Sequence, residues 1–68
     1  MSQKSTYTVT GMTCQHCVAS VTEEVREIPG VENVEVDLPS GAVTVTSAES
    51  LDDAAVAAAV EDAGYSLA

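Results

Sequence analysis

The sequence predicts an α+β domain in which a four-stranded antiparallel sheet carries two helices on one face. Two observations support this fold class. Segments that favour strand or helix follow one another in the order strand, helix, strand, strand, helix, strand. Each strand segment alternates apolar with polar residues, so it has only one apolar face to bury. Two helices covering that face satisfy the pattern, which is the ferredoxin-like βαββαβ sandwich.

The first strand and the first helix are predicted from two different periodicities. Residues 6–10 alternate polar and apolar side chains, which indicates a half-buried strand with Tyr7 and Val9 facing inward. A helix is predicted after this strand, and it is expected to end at Ile28, before Pro29. Its apolar stripe at helical spacing consists of Val18, Val21, Val25 and Ile28.

The second and third strands are predicted to form a hairpin. Residues 34–38 and 43–46 both alternate apolar side chains with polar ones. The Pro-Ser-Gly sequence at 39–41 lies between them and is typical of a turn. These two strands are therefore expected to pair with each other directly.

The second helix has two candidate N-caps, Ser50 and Asp52. Asp52 is favoured because it puts Leu51 and Val56 at the spacing of a hydrophobic staple. An alanine-rich stretch follows, and Gly64 is expected to end the helix as a C′ glycine. The four residues after Gly64 are predicted to form a short last strand.

Length and charge exclude several classes of function. A chain of 68 residues is expected to form one domain over 1–68, because a second core cannot be built from the remainder. The net charge of −9 has the wrong sign for nucleic acid and would be repelled by an anionic membrane. No apolar run approaches the roughly 20 residues of a membrane span, and none resembles a signal-peptide core. We therefore expect a cytoplasmic protein without nucleic-acid binding or membrane insertion.

Cys14 and Cys17 carry the first positive information about function. A bridge between them would close too short a loop to stabilise the fold, and close thiols in a reducing compartment are more often catalytic or metal-binding. Both lie where a strand passes into a helix, and the unpaired N–H groups of a helix start favour thiolate over thiol. Two adjacent thiolates make a soft, low-coordination site that suits Cu(I) better than Zn(II).

Three neighbouring residues are further candidates at this site. The Met12 thioether is a potential copper ligand, although methionine in such a position more often fills the core beneath the loop. His16 lies between the cysteines and is expected to point away from the metal, because adjacent positions do not share a helix face. The predicted topology places Tyr65 beside residues 11–17, which we call the metal loop. There its ring either supports the site or caps the core.

The motif Gly-Met-Thr-Cys-Gln-His-Cys at 11–17, together with Ala-Gly-Tyr at 63–65, resembles a heavy-metal-associated domain. It is most similar to the free-standing bacterial copper chaperones. The resemblance implies that Cys14 and Cys17 bind Cu(I) and deliver it to the metal-binding region of a copper-transporting P-type ATPase. It also implies a copper-responsive regulator as a partner, and a monomer that forms a metal-bridged dimer. Relatives for zinc or cadmium tend to carry an acidic residue where Thr13 stands, so copper is favoured.

Two alternatives to a free-standing carrier remain. An amino-terminal metal-binding domain excised from a copper ATPase would carry the same motif. A small thiol-disulfide redox protein also uses Cys-x-x-Cys at the start of a helix after a strand. The chain is too short for the thioredoxin arrangement and lacks a site for a substrate disulfide, so we expect a carrier and not an enzyme.

Overall fold

The computed structural model describes residues 2–68, and its elements follow the predicted order. The antiparallel sheet has the strand order β2-β3-β1-β4. This architecture confirms the ferredoxin-like βαββαβ prediction. Neither helix within residues 2–68 has the length and apolar character needed to cross a membrane. In chain order, the elements are β1 (Gln3–Thr10), α1 (Gln15–Arg26), β2 (Val31–Asp37), β3 (Ala42–Ser47), α2 (Asp53–Asp62) and β4 (Ser66–Leu67).

Strand register gathers the apolar side chains on one face of the sheet. Val43 in β3 stands opposite Tyr7 of β1 on one side and opposite Val36 of β2 on the other. Val9 of β1 stands opposite Leu67 of β4. Tyr7 is half-buried and Val9 is buried, so both face inward as predicted.

The core is small and aliphatic because it is made almost entirely of valine. Both helices and strands β1 and β3 contribute to it, and no aromatic ring is fully buried within residues 2–68. Valine is stiff about χ1, so burying it loses little side-chain entropy. The buried apolar residues are Val9, Val21, Val25, Val43, Val45, Val56, Ala59 and Val60.

Helix α1 ends at Arg26, so the prediction that it extends to Ile28 is wrong. The N–H of Glu27 donates to the Glu24 carbonyl at 3.2 Å, and the N–H of Ile28 donates to the Val25 carbonyl at 3.1 Å. Both bonds span three residues, so the chain tightens and leaves the α-helix before it reaches the proline.

The bounds of the strands differ from the prediction. Strand β2 covers Val31–Asp37 and not residues 34–38, because its pairing with β3 runs from Val31↔Ser47 to Asp37↔Ala42. Strand β1 begins at Gln3, and not at residue 6, because its pairing with β3 continues as far as Gln3↔Ser47. Strand β4 covers only Ser66–Leu67, whereas the prediction was 65–68. Strand β4 does not include Tyr65, because the N–H of Tyr65 donates to the Val60 carbonyl in the turn that ends α2.

The N-cap of α2 is Asp52, as predicted. Its carboxylate accepts a hydrogen bond from the backbone N–H of Ala54 at 3.0 Å. The alternative cap, Ser50, uses its hydroxyl to donate to the Gln3 side chain at 2.7 Å. Capping therefore fixes the start of α2 at the end of the molecule opposite the cysteines.

Candidate metal site

Cys14 and Cys17 lie where β1 passes into α1, and the first helical turn holds them together. Cys14 is the N-cap residue and Cys17 is the third residue of the helix. The backbone N–H of Cys17 donates to the Cys14 carbonyl at 3.1 Å. The two Sγ atoms are 3.4 Å apart, and both residues are free cysteines. One short piece of backbone thus presents two sulfur atoms side by side.

Cys14 occupies a position where a capping side chain would stabilise the helix, yet its sulfur makes no capping hydrogen bond. Ser, Thr, Asp and Asn are preferred at an N-cap because their oxygen accepts from an unpaired N–H of the first turn. A cysteine here leaves helix α1 without about 1 kcal/mol of that stabilisation. The Cys14 sulfur is exposed and remains available to a ligand.

Cys17 is half-buried, and its surroundings favour the thiolate. Hydrogen bonds from the Thr13 backbone, the Tyr65 hydroxyl and the Cys14 thiol lower the pKa of Cys17 to about 6, although partial burial opposes them. The Thr13 hydroxyl is a further neighbour, with its Oγ1 3.9 Å from the Cys17 sulfur. At neutral pH Cys17 is therefore mostly a thiolate.

Tyr65 reaches the cysteines from the opposite end of the chain because of the way α2 ends. Gly64 has a φ of +95°, and the Tyr65 N–H donates to the Val60 carbonyl at 3.0 Å, which is a Schellman motif. This turn directs the Tyr65 ring toward Cys17. The hydrogen bond with Cys17 is the main cause that raises the pKa of Tyr65, followed by burial and by the negative charge of the two sulfurs.

Gly11 makes room for that ring, a role that sequence reasoning missed. A side chain at this position would put its Cβ 3.3 Å from Cδ1 of Tyr65. Gly11 also has a φ of +92°, which other residues rarely adopt. The available signal was the glycine between the end of β1 and the first cysteine, but its partner is distant in sequence.

Met12 and His16 are the two other candidate residues near the sulfur pair in the sequence. Met12 is half-buried and packs against the hydrophobic core. His16 is exposed, and its carbonyl accepts a hydrogen bond from the Ser20 hydroxyl at 3.1 Å. Among the residues that the structure describes, no group of three or more His, Cys, Asp or Glu could hold a metal ion. The two cysteines are therefore the strongest available ligands, and they suit a soft ion of low coordination number.

Comparison with known proteins agrees with this fold. The model of the heavy-metal-associated domain family matches residues 6–66. The protein named copper chaperone CopZ of Bacillus subtilis (strain 168) is 45% identical over 69 residues, which cover 100% of this chain and 99% of that protein. A solved structure described as CopZ metallochaperone has a TM-score of 0.90 at 31% identity, covering 97% of this chain and 100% of the other.

Part of a much longer protein is also similar. The protein named copper-transporting ATPase 1 of Rhizobium meliloti (strain 1021) is 42% identical over 59 residues, which cover 87% of this chain and 7% of that protein. The family match and the full-length relative confirm the resemblance found in the sequence. This chain belongs to the heavy-metal-associated domain family.

Proposed function

We propose that this chain is a cytoplasmic copper chaperone whose single domain, residues 1–68, carries one Cu(I) between Cys14 and Cys17. The observation that carries the proposal is the pair of Sγ atoms 3.4 Å apart at the start of a helix. A relative named as a copper chaperone and similar over its full length supports the same function. The role is that of a carrier, which releases its cargo chemically unchanged, and not that of an enzyme.

Copper leaves such a site by ligand exchange. Two-coordinate Cu(I) has room for a third ligand, so a recipient thiolate can bind the metal before a carrier thiolate leaves. The Cu–S bond to Cys14 breaks first, because Cys14 is exposed whereas Cys17 is half-buried and held by Thr13 and Tyr65. The bond to Cys17 then breaks, the copper passes to the recipient's thiolates as Cu(I), and Cys17 remains a thiolate at neutral pH.

The recipient is the metal-binding region of a copper-transporting P-type ATPase, and a copper-responsive regulator is a further partner. The similarity to part of a protein named as a copper-transporting ATPase supports the first, because related domains can bring their metal loops together. Without metal the carrier is a monomer; where two copies share a Cu(I) in place of holding one each, the shared metal bridges them into a dimer. Neither nucleic acid nor membrane insertion belongs to this function, given the net charge of −9.

Charge near the metal site favours a basic recipient. Glu61 near the end of α2 is exposed, and so is Asp37, which ends β2. The two basic residues lie away from the cysteines. Arg26 is the last residue of α1, at the end opposite Cys14, and Lys4 lies near the start of β1. Docking of this end is therefore expected to pair carboxylates with a basic patch.

Stopped-flow transfer of Cu(I) to a recipient domain tests the function. Transfer is expected to be faster than spontaneous release, and to slow as the salt concentration rises, because salt screens the charges that guide docking. The double variant Asp37→Asn/Glu61→Gln should slow transfer at low salt, while Glu32→Gln/Glu49→Gln, with the same change in charge, should not. Transfer no faster than release would contradict ligand exchange, and rates unchanged in molar salt would contradict electrostatic docking.

A second candidate, the metal-binding domain of a longer ATPase, has one observation in its favour. The match to 7% of a copper-transporting ATPase shows that similar domains occur inside such proteins. The length of the encoding reading frame separates the two candidates, because a chaperone gene ends with this domain and an ATPase gene continues.

A further inference from the structure

A second surface feature is a groove between helices α1 and α2. It encloses about 430 Å³, and its apolar lining includes Ile28, Pro29, Ala55 and Ala58. Neither cysteine lines the groove. Helix α1 has 12 residues and is therefore about 18 Å long. The groove is formed at the last turn of this helix, whereas the cysteines lie at its first turn. The groove is thus spatially separate from the metal loop.

Alanines allow a close approach to this groove. Ala58 is exposed and Ala55 is half-buried, while the inner face of α2 already fills the core with Val56 and Val60. An alanine has no atoms beyond Cβ, so the axis of another helix can come within about 8 Å of α2. The outer face of α2 is therefore smooth and apolar, which suits a packed helix.

The rest of the lining is acidic. Glu24, Glu27 and Asp62 border the groove together with the apolar residues. The pKa of Glu24 is raised, mainly by a hydrogen bond with the Glu27 carboxyl, then by burial and by the charges of Glu27, Asp62 and Glu23. The acidic side chains of Glu24, Glu27 and Asp62 thus line one groove together. The cation of the same helix, Arg26, lines a separate depression with Glu23 and Glu27.

We propose that this groove docks a helix of a partner protein that carries Lys or Arg on neighbouring turns beside small apolar side chains. Glu24 lies in the last turn of α1 and Glu27 is its C-cap, three residues on, so cations at matching spacing on the partner pair with them. The partner's small side chains pack against Ala58. Cationic groups relieve the repulsion between the carboxylates, and the apolar lining excludes water from part of the contact.

The proposal does not depend on metal transport, because the metal loop lies at the other end of α1. The probe is a synthetic helical peptide with lysines on successive turns beside alanines, added to the metal-free protein. A peptide of the same composition in scrambled order, with the lysines spread around the helix, is the control. Backbone amide shifts measured by nuclear magnetic resonance should change at residues 24–28 and 55–62, and far less at residues 11–17.

Matched variants separate docking from general attraction to an acidic protein. Glu24→Gln/Glu27→Gln should weaken peptide binding about fivefold or more, while Glu35→Gln/Glu49→Gln removes the same charge outside the groove and should change it less than about twofold. Ala58→Gln blocks the apolar lining and should also weaken binding. Ala54→Gln, at an exposed alanine of α2 outside the groove, should not.

Three results would overturn the proposal. Equal weakening by the two charge variants would mean that net charge alone attracts the peptide. Full binding by Ala58→Gln would mean that the apolar lining takes no part. Amide shifts centred on residues 11–17, or equal affinity for the scrambled peptide, would mean that the groove is not the docking site.

Discussion

The sulfur of Cys17 has several contacts that stabilise its charged form. The Thr13 backbone, the Tyr65 hydroxyl and the Cys14 thiol all favour its charged form and lower its pKa to about 6. Because a metal binds the thiolate, such a sulfur is ready at neutral pH and needs no proton loss when copper arrives. Cu(I) affinity is expected to fall as the pH drops below about 6, where a proton competes for Cys17.

Alkylation of the metal-free protein tests this residue directly. The rate at Cys17, located by tandem mass spectrometry, should rise with pH around a midpoint near 6, well below the ordinary value of 9.0. Tyr65→Phe keeps the ring but loses the hydroxyl, so the midpoint should move up. Tyr7→Phe is the control, because the Tyr7 hydroxyl donates to Asp53 at 3.0 Å, far from the sulfur. A midpoint near 9 in the unaltered protein would contradict the account.

At the scale of single elements, the two helices differ in how they begin and end. Helix α2 is capped by the Asp52 carboxylate at its start and by a Schellman motif at Gly64. The N-cap of helix α1 is Cys14, whose side chain makes no capping hydrogen bond. Its first turn is therefore the less stable end, and it is the end at which the proposed metal exchange would take place. Ligand availability at this position comes at the expense of helix stability.

Replacing Cys14 tests that trade-off. Cys14→Ser should raise the free energy of unfolding of the metal-free protein by roughly 0.5–1 kcal/mol relative to Cys14→Ala, because only serine caps the helix. In a domain of this size the difference corresponds to a few degrees in Tm, measurable by circular dichroism. Both variants should lose tight Cu(I) binding. Equal stability of the two variants would show that the Cys14 position does not act as an N-cap.

At the scale of the whole molecule, the core is complete without metal. The buried valines come from both helices and from two strands of the sheet, and none belongs to the metal loop. The loop adds only the partial burial of Met12 against this core. We therefore expect folding not to require metal, in contrast to small domains that fold only around zinc.

The metal-free protein should unfold cooperatively on heating. Treatment with a Cu(I) chelator should leave its circular dichroism spectrum nearly unchanged. Val45→Ala removes fully buried methyl groups and should lower the free energy of unfolding by roughly 2–3 kcal/mol, with or without Cys14. A metal-free chain that lacked both a cooperative transition and a native spectrum would contradict this separation.

Much of the fold could be predicted because local patterns and the global fold agree. Alternation at Tyr7 and Val9 indicated which face of β1 is buried, and the staple spacing around Asp52 identified the cap of α2. The end of α1 and the short β4 could not be predicted, because they depend on hydrogen bonds formed only in three dimensions. The contact of Tyr65 with Cys17 followed from topology, but the space that Gly11 provides for it did not.

The central claim is that Cys14 and Cys17 together bind one Cu(I). The most direct measurement is copper content after anaerobic loading and removal of excess metal, together with affinity in competition with a Cu(I) chelator. The account predicts one copper per chain, and loss of tight binding in both Cys14→Ser and Cys17→Ser, while His16→Ala retains it. Full Cu(I) affinity in either serine variant would contradict the claim.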